Sequence, residues 1–293
     1  GKTDVTVNSN AGTISTTSDA GSAFTIKGDS AANVTNTGSI TATSNSGYAE
    51  GILATDLVLN NNANGVIRAE STSSVAYGMN GSNTVRVNNA GNISAQSSSP
   101  GSPAAGITGL TSYVTNVGAS SVISGTALGN SIGIGVLGGG LTYITNPGTI
   151  YGTAAGAGSG HGVFTPNVAA DVTVNDNSGT IYGTSYSGYG AGVRVSNSAN
   201  IYVTANSGSI YGVSSTNWAY GLQAGLGATV TANSGTIKGT STSNRGNGIQ
   251  AQTINVISNT GEISGFSTSA AASGQAYGLS SNSSVTVGGN SGY

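Results

Sequence analysis

Residues 172–183 have the sequence VTVNDNSGTIYG, and variants of this stretch recur along the whole chain. It begins with alternating β-branched residues, which are typical of a half-buried strand. An Asn-x-Gly bend follows, and we expect it to use the positive φ that Asn and Gly tolerate at sharp corners. The stretch then continues as Gly-x-Ile-x-Gly, a second short strand whose isoleucine should point inward. It therefore predicts two strands joined by a tight bend.

The spacing of this pattern is regular. The bend glycine occurs at positions 12, 38, 65, 91, 118, 148, 179, 208, 235, 261 and 292, with spacings of 26 to 31 residues. A second marker, Gly followed by an apolar residue, keeps step with it from Gly51-Ile52 to Gly278-Leu279 and marks a third strand. One such unit cannot bury its apolar side chains alone, but stacked units share a continuous core.

The chain is therefore predicted to be all-β. We expect one parallel β-helix domain over residues 1–293, with about ten coils and three short strands in each coil. Because crossovers between parallel strands are right-handed in nearly all proteins, the predicted helix is right-handed.

The composition excludes several kinds of partner. The chain has seven Lys or Arg and nine Asp or Glu, a net charge of −2, so no strong field attracts nucleic acid or an anionic membrane. It has no cysteine, which excludes disulfides and thiolate metal sites. No run of 18 apolar residues occurs, so we expect no insertion into a membrane. No cofactor is expected either.

One asparagine precedes the bend glycine in almost every coil. Stacked amides in a solenoid can hydrogen-bond along its axis, so we interpret this column as a structural ladder rather than a ligand site. In the third coil, Asn62 or Ala63 takes this place, which predicts one gap. The predicted ladder consists of Asn10, Asn36, Asn89, Asn116, Asn146, Asn177, Asn206, Asn233, Asn259 and Asn290.

A tyrosine column follows the bend in later coils. Tyr151, Tyr182 and Tyr211 each come three residues after the bend glycine and one residue after an inward isoleucine, so they should point outward. Aromatic faces on a polar surface can bind sugar rings or another protein. Alternatively, tyrosines in register can simply stabilise the face of a parallel sheet.

Residues that could support catalysis are few. His161 is the only histidine, and it takes the place that Tyr77, Tyr220 and Tyr277 hold in other coils, so we interpret it as a member of that column. No paired carboxylates of the kind that glycosidases need come together, and no metal site is expected. We therefore expect no enzymatic activity. A charged group predicts a surface ion-pair network or a contact patch: Glu50, Asp56, Arg68, Glu70 and Arg86.

The repeated NSGTI phrase, the Val-Thr-Val strands, the lack of cysteine and the abundance of Gly, Ser, Thr and Asn resemble known surface proteins. They are similar to the passenger regions of bacterial autotransporters and to filamentous-haemagglutinin-type adhesins. The resemblance implies export and a role at the cell surface, with the export signal already removed. It assigns no functional residue, because these families share no catalytic motif.

Two functions are compatible with these patterns. The strand pattern extends close to both ends without a visible capping helix, and exposed strand edges normally need a cover. The leading hypothesis is an extracellular structural protein that binds copies of itself, end to end or side by side, to build a filament, sheath or surface layer. The alternative is an adhesin that binds glycans or host surfaces through Tyr151, Tyr182 and Tyr211.

Overall fold

The computed structural model describes residues 3–167, 169–269 and 274–292. These residues form 29 strands, every named pairing between them is parallel, and none of them lies in a helix. The strands stack into a solenoid of about ten coils, which confirms the predicted all-β parallel fold.

Each coil contributes a first, a second and a third strand. The first strands are β1 (Val5–Asn10), β4 (Ala31–Asn36), β7 (Asp56–Asn61), β10 (Thr84–Asn89), β13 (Thr111–Asn116), β16 (Thr142–Asn146), β19 (Val172–Asn177), β22 (Ile201–Val203) and β25 (Gly227–Val230). The second strands are β2 (Thr13–Ser18), β5 (Ser39–Ser44), β8 (Val66–Ser71), β11 (Asn92–Ser97), β14 (Val122–Ala127), β17 (Thr149–Ala154), β20 (Thr180–Ser185), β23 (Ser209–Ser214), β26 (Thr236–Ser241) and β28 (Glu262–Ser267).

The third strands are β3 (Ala23–Lys27), β6 (Ala49–Ala54), β9 (Ala76–Gly81), β12 (Ala104–Gly109), β15 (Gly133–Gly138), β18 (Gly160–Thr165), β21 (Gly190–Val195) and β24 (Ala219–Gln223). In the last coils, β27 (Gly246–Asn259) and β29 (Ala276–Asn290) each run from a third strand directly into the next first strand. The second strands therefore form a separate 10-stranded sheet, whereas the first and third strands are joined in one 19-stranded sheet.

The core is a set of columns along the solenoid axis. Residues of equal phase pair directly, as Ile150 does with Ile181 and Ile181 with Ile210. Burying each such side chain contributes roughly 1.5–3 kcal/mol, and stacking makes the core continuous from coil to coil. The second-strand isoleucines of coils two to nine are completely buried: Ile40, Ile67, Ile93, Ile123, Ile150, Ile181, Ile210 and Ile237.

The second and third strands approach each other through small side chains. In coils two to four, Ala42, Ala69 and Ala95 belong to one buried cluster with the alanines that begin the third strands. From coil five onward, glycine replaces these second-strand alanines. A Cβ at Gly152 would collide with the carbonyl oxygens of His161 and Gly133, so no methyl group fits there. The second-strand sheet is thus held close to the third strands behind it.

Candidate functional site

An unbroken row of asparagine amides lies inside the bend between the first and second strands. Each side-chain Nδ2 donates to the Oδ1 of the asparagine one coil later, at 2.7 to 2.9 Å, from Asn10 to Asn290. The gap predicted in the third coil is wrong, because Asn61 fills it. Since the amides donate hydrogen bonds to one another and to nearby carbonyl oxygens, few of their polar groups remain free to bind a ligand.

The bend glycines are required for a reason other than the one predicted. Among the described residues, positive φ occurs only at Gly118 and Ala169, so the bends do not generally use it. Instead, successive bends stack so closely that a Cβ at Gly179 would collide with the carbonyl oxygen of Gly148. The same collision, each time with the glycine one coil earlier, occurs at Gly208 and Gly235. Glycine is needed here because neighbouring backbones touch.

The tyrosine column lies on the outward side of the second-strand sheet. The ring centroids of Tyr151 and Tyr182 are 5.0 Å apart with planes 8° apart, and those of Tyr182 and Tyr211 are 5.1 Å apart at 3°. This spacing follows the distance between neighbouring strands. Burial, with smaller effects from the two flanking tyrosines, raises the pKa of Tyr182 to about 12. The Tyr182 phenol therefore remains a neutral hydrogen-bonding group at physiological pH.

The two ends of this column differ. Beyond Tyr211 the next residue in register is Lys238, whose Nζ lies 3.5 Å from the carboxylate of Glu262. Before Tyr151 the same column holds Ser124 and then Ser94, whose side chains are short.

These serines form the floor of a shallow depression that the sequence patterns did not single out. The depression has a volume of about 130 Å³. Its far side is formed by Arg68 and Glu70, which are ion-paired. The complete lining is Arg68, Ala69, Glu70, Ser94, Ala95, Gln96, Ser124, Thr126 and Tyr151.

A second stacked pair lies on the outward side of the first strands. Tyr113 and Tyr143 have centroids 5.0 Å apart and planes 5° apart. The guanidinium of Arg86 lies 4.8 Å from the centre of the Tyr113 ring. Stacking of tyrosines one coil apart is thus a general feature of these sheets, which supports the stabilising interpretation of the tyrosine columns.

An aromatic layer covers the third strands of coils seven and eight. Tyr189, Trp218 and Tyr220 contact one another, with centroid distances of 6.1 to 6.4 Å. Arg194 lies 4.7 Å from the Tyr189 ring centre and Arg245 lies 5.3 Å from that of Trp218. Tyr220 is buried beneath this layer, and burial raises its pKa. The contacts are those of a packed satellite cluster.

His161 lies on the third strand of coil six, in register with Ile134 and Ala191, as its column predicts. Its side chain is completely buried, and its ring centroid is 4.7 Å from that of Phe164. Burial, with a smaller effect from Arg194, lowers the pKa of the imidazole well below its usual value. Neither ring nitrogen has a hydrogen-bond partner among the described residues.

The predicted ion-pair network is wrong. Of its five members, Arg68 and Glu70 form an ion pair on the second-strand sheet. Glu50 instead lies nearly buried outside the third strands, where it accepts a hydrogen bond from Asn80 at 3.2 Å, and burial raises its pKa. Arg86 lies on the outward side of the first strands, where its guanidinium contacts the Tyr113 ring. Charges that are close in sequence are thus separated because they occupy different faces of the coil.

In residues 3–167, 169–269 and 274–292, no three His, Asp or Glu side chains come close enough to hold a metal ion. That part of the chain also contains no helix of the length and apolarity needed to cross a membrane.

Comparison with known proteins gives no relative. No protein-family model matches the chain, and neither a curated protein nor a solved structure matches it.

Proposed function

We propose that this protein is an extracellular structural protein whose copies associate end to end into a filament, sheath or surface layer. The observation that supports the proposal is the exposed core at the last coil. Val285 and Val287 are 47% and 43% exposed, whereas Ile254 and Val256, one coil earlier, are 2% and 1% exposed. The difference arises because no further strand of the described stack covers β29.

The backbone at this end supports the same proposal. Within the described residues, the first-strand part of β29 pairs with β27 alone, and at the opposite end of the stack β1 pairs with β4 alone. Each therefore leaves one row of N–H and C=O groups without a strand partner, which is a template for another parallel strand. A second copy supplies such a strand at the usual spacing of about 4.8 Å.

An apolar opening completes the contact surface. A cavity of about 100 Å³ opens at the last coil. Its apolar lining includes Val256, Ile263, Leu279 and Val287. Ile263 and Leu279 are only partly buried, unlike their equivalents in the interior coils. Covering these side chains with the first coil of another copy would contribute about 25 cal/mol for each Å² of apolar surface removed from water.

The extracellular part of the proposal is supported by the resemblance in repeat style to exported surface proteins. It is tested by labelling intact source cells with an antibody to the chain. Signal before permeabilisation is expected, and signal only after permeabilisation would contradict it.

A charged last coil is expected to abolish the assembly. In the double variant Val285→Lys/Val287→Lys, two ammonium groups would have to be buried at the contact, which is unfavourable without partners. We expect fibres or large oligomers for the parent protein and monomers for this variant, by electron microscopy and sedimentation velocity. Thr286→Lys is the matched control, because this residue lies between the two valines and points to the other side of the strand. A parent that stays monomeric at high concentration would disprove end-to-end association.

A second candidate function is adhesion through the tyrosine column. It is favoured by three parallel, partly exposed rings that present hydroxyl groups on the outward side of the second-strand sheet. In the triple variant with Tyr151, Tyr182 and Tyr211 replaced by Ser, we expect loss of binding to an oligosaccharide array or to host cells. Assembly of the variant should be unchanged. If the triple variant instead loses assembly, the column is a contact between copies and adhesion through it is contradicted.

A further inference from the structure

We propose that the depression between Tyr151 and the Arg68–Glu70 ion pair binds one neutral pyranose ring of a glycan. The inference rests on the second candidate function, to which it adds a defined subsite and a ligand class. It is independent of end-to-end assembly.

The first argument is the free face of Tyr151. The tyrosine rings are nearly parallel and stack on one another from coil to coil, so each inner ring has a neighbour on both faces and the first ring, Tyr151, on one face only. Tyr182 covers one face of Tyr151, and the other face points towards Ser124, its partner in the preceding coil. A ring bound there would continue the stack by one strand spacing, about 4.8 Å.

The second argument is the space in front of this face. Ser124 is 4% exposed and forms the floor, and the next residue in the column is Ser94. Arg68 follows one coil further, so it lies three strand spacings from Tyr151, about 14 Å. At two consecutive positions of the column, Ser124 and Ser94, the side chain is thus small. A six-membered ring stacked on Tyr151 fits between the tyrosine and the ion pair.

The third argument is the chemistry around the space. The guanidinium of Arg68 supplies N–H donors, and the carboxylate of Glu70 supplies acceptors beside it. The side chains of Gln96 and Thr126 line the same depression. A pyranose has C–H groups on one face, which suit the negative face of an aromatic ring, and hydroxyl groups at its edge, which suit paired donors and acceptors.

The charge of the site selects among ligands. Glu70 is paired with Arg68, so the depression carries no net charge from this pair. An anionic ligand would therefore gain little from Arg68 and would meet the Glu70 carboxylate. A flat aromatic ligand would leave the ion pair and Gln96 without new hydrogen bonds. A neutral sugar uses both the ring face and the polar edge.

The opposite end of the column does not offer an equivalent site. There the level next to Tyr211 is occupied by Lys238, whose long side chain pairs with Glu262. The structure thus supports a subsite at the Tyr151 end alone within the described column.

Ser124→Tyr tests the proposal. It places a fourth tyrosine on the free face of Tyr151, extends the stack and fills the subsite. Because Ser124 is only 4% exposed, the larger side chain also has to be accommodated by its neighbours, so the stability of the variant is measured before binding. The matched control is Ser15→Tyr, because Ser15 holds the same place in the first coil, is exposed, and lies far from the depression. The probe is an array of neutral and acidic oligosaccharides, followed by calorimetric titration of the best neutral binder. Circular dichroism and thermal unfolding verify that both variants fold.

The expected result is a neutral glycan whose affinity falls about tenfold or more in Ser124→Tyr and stays unchanged in Ser15→Tyr. If Ser124→Tyr binds as the parent does while the triple tyrosine variant does not, the subsite is wrong and adhesion through the column stands. If the parent protein binds no glycan, the subsite and adhesion through the tyrosine column are both wrong. Binding confined to acidic glycans, or a change in the oligomeric state of Ser124→Tyr without a change in glycan binding, would also overturn the proposal.

Discussion

Gly179→Ala is expected to lower the free energy of unfolding by about 3 kcal/mol. The new methyl group would overlap the carbonyl oxygen of Gly148 and the backbone of Pro147. Both obstacles belong to the backbone of the preceding coil, so no side-chain rotation can relieve the overlap, and overpacking of this kind usually costs about 1–3 kcal/mol or more. Urea denaturation followed by circular dichroism measures the loss.

Gly12 provides the matched control for this substitution. It holds the same place in the first coil, but no atom lies within 4 Å of the position that its Cβ would occupy. Gly12→Ala should therefore leave the stability unchanged or raise it by about 0.4–1 kcal/mol through a less flexible unfolded chain. If both variants were equally stable, the close stacking of the bends would be contradicted.

Asn177→Leu is expected to cost about 2–4 kcal/mol. The substitution keeps a similar shape but removes two hydrogen bonds from the ladder, one of 2.8 Å with Asn146 and one of 2.7 Å with Asn206. Both neighbours are buried, and each polar group left without a partner costs about 1–3 kcal/mol. The decrease is measured by the same urea denaturation.

Asn175→Leu is the control for the ladder. Asn175 belongs to the same strand, β19, but its side chain is exposed. Exposed substitutions of this kind usually change stability by less than about 0.5 kcal/mol. An equal loss in both variants would indicate that the strand, rather than the amide row, is sensitive to leucine.

The coil architecture was predictable from the sequence because, in a solenoid, residues at the same position of successive coils have the same surroundings. Phase alone identifies the inward isoleucines, and residues of equal phase do pair, as Tyr151 does with Tyr182. The reason for the bend glycine was not predictable in the same way. The collision that excludes a methyl group at Gly179 involves the backbone of another coil, and the pattern within one coil also fits a requirement for positive φ.

Local irregularities explain the remaining differences. In the third coil, three residues instead of one separate the ladder asparagine from the bend glycine, so the sequence pattern pointed to the neighbours of Asn61. The burial of Glu50 and His161 depends on the side chains beside them on the third strands, which differ from coil to coil. The depression beside Tyr151 was accessible from the sequence, since following its column backwards leads to Ser124, Ser94 and Arg68.

The asparagine ladder also has a direction. Every Nδ2 donates towards the C-terminal coils, so the aligned amide dipoles add along the axis. The row begins with an acceptor, the Oδ1 of Asn10, and ends with a donor, the Nδ2 of Asn290. Between two copies, the amide of one can continue the row only when the C-terminal coil of one copy meets the N-terminal coil of the next. A filament built this way is polar, with chemically different tips, and could elongate at unequal rates from its two ends.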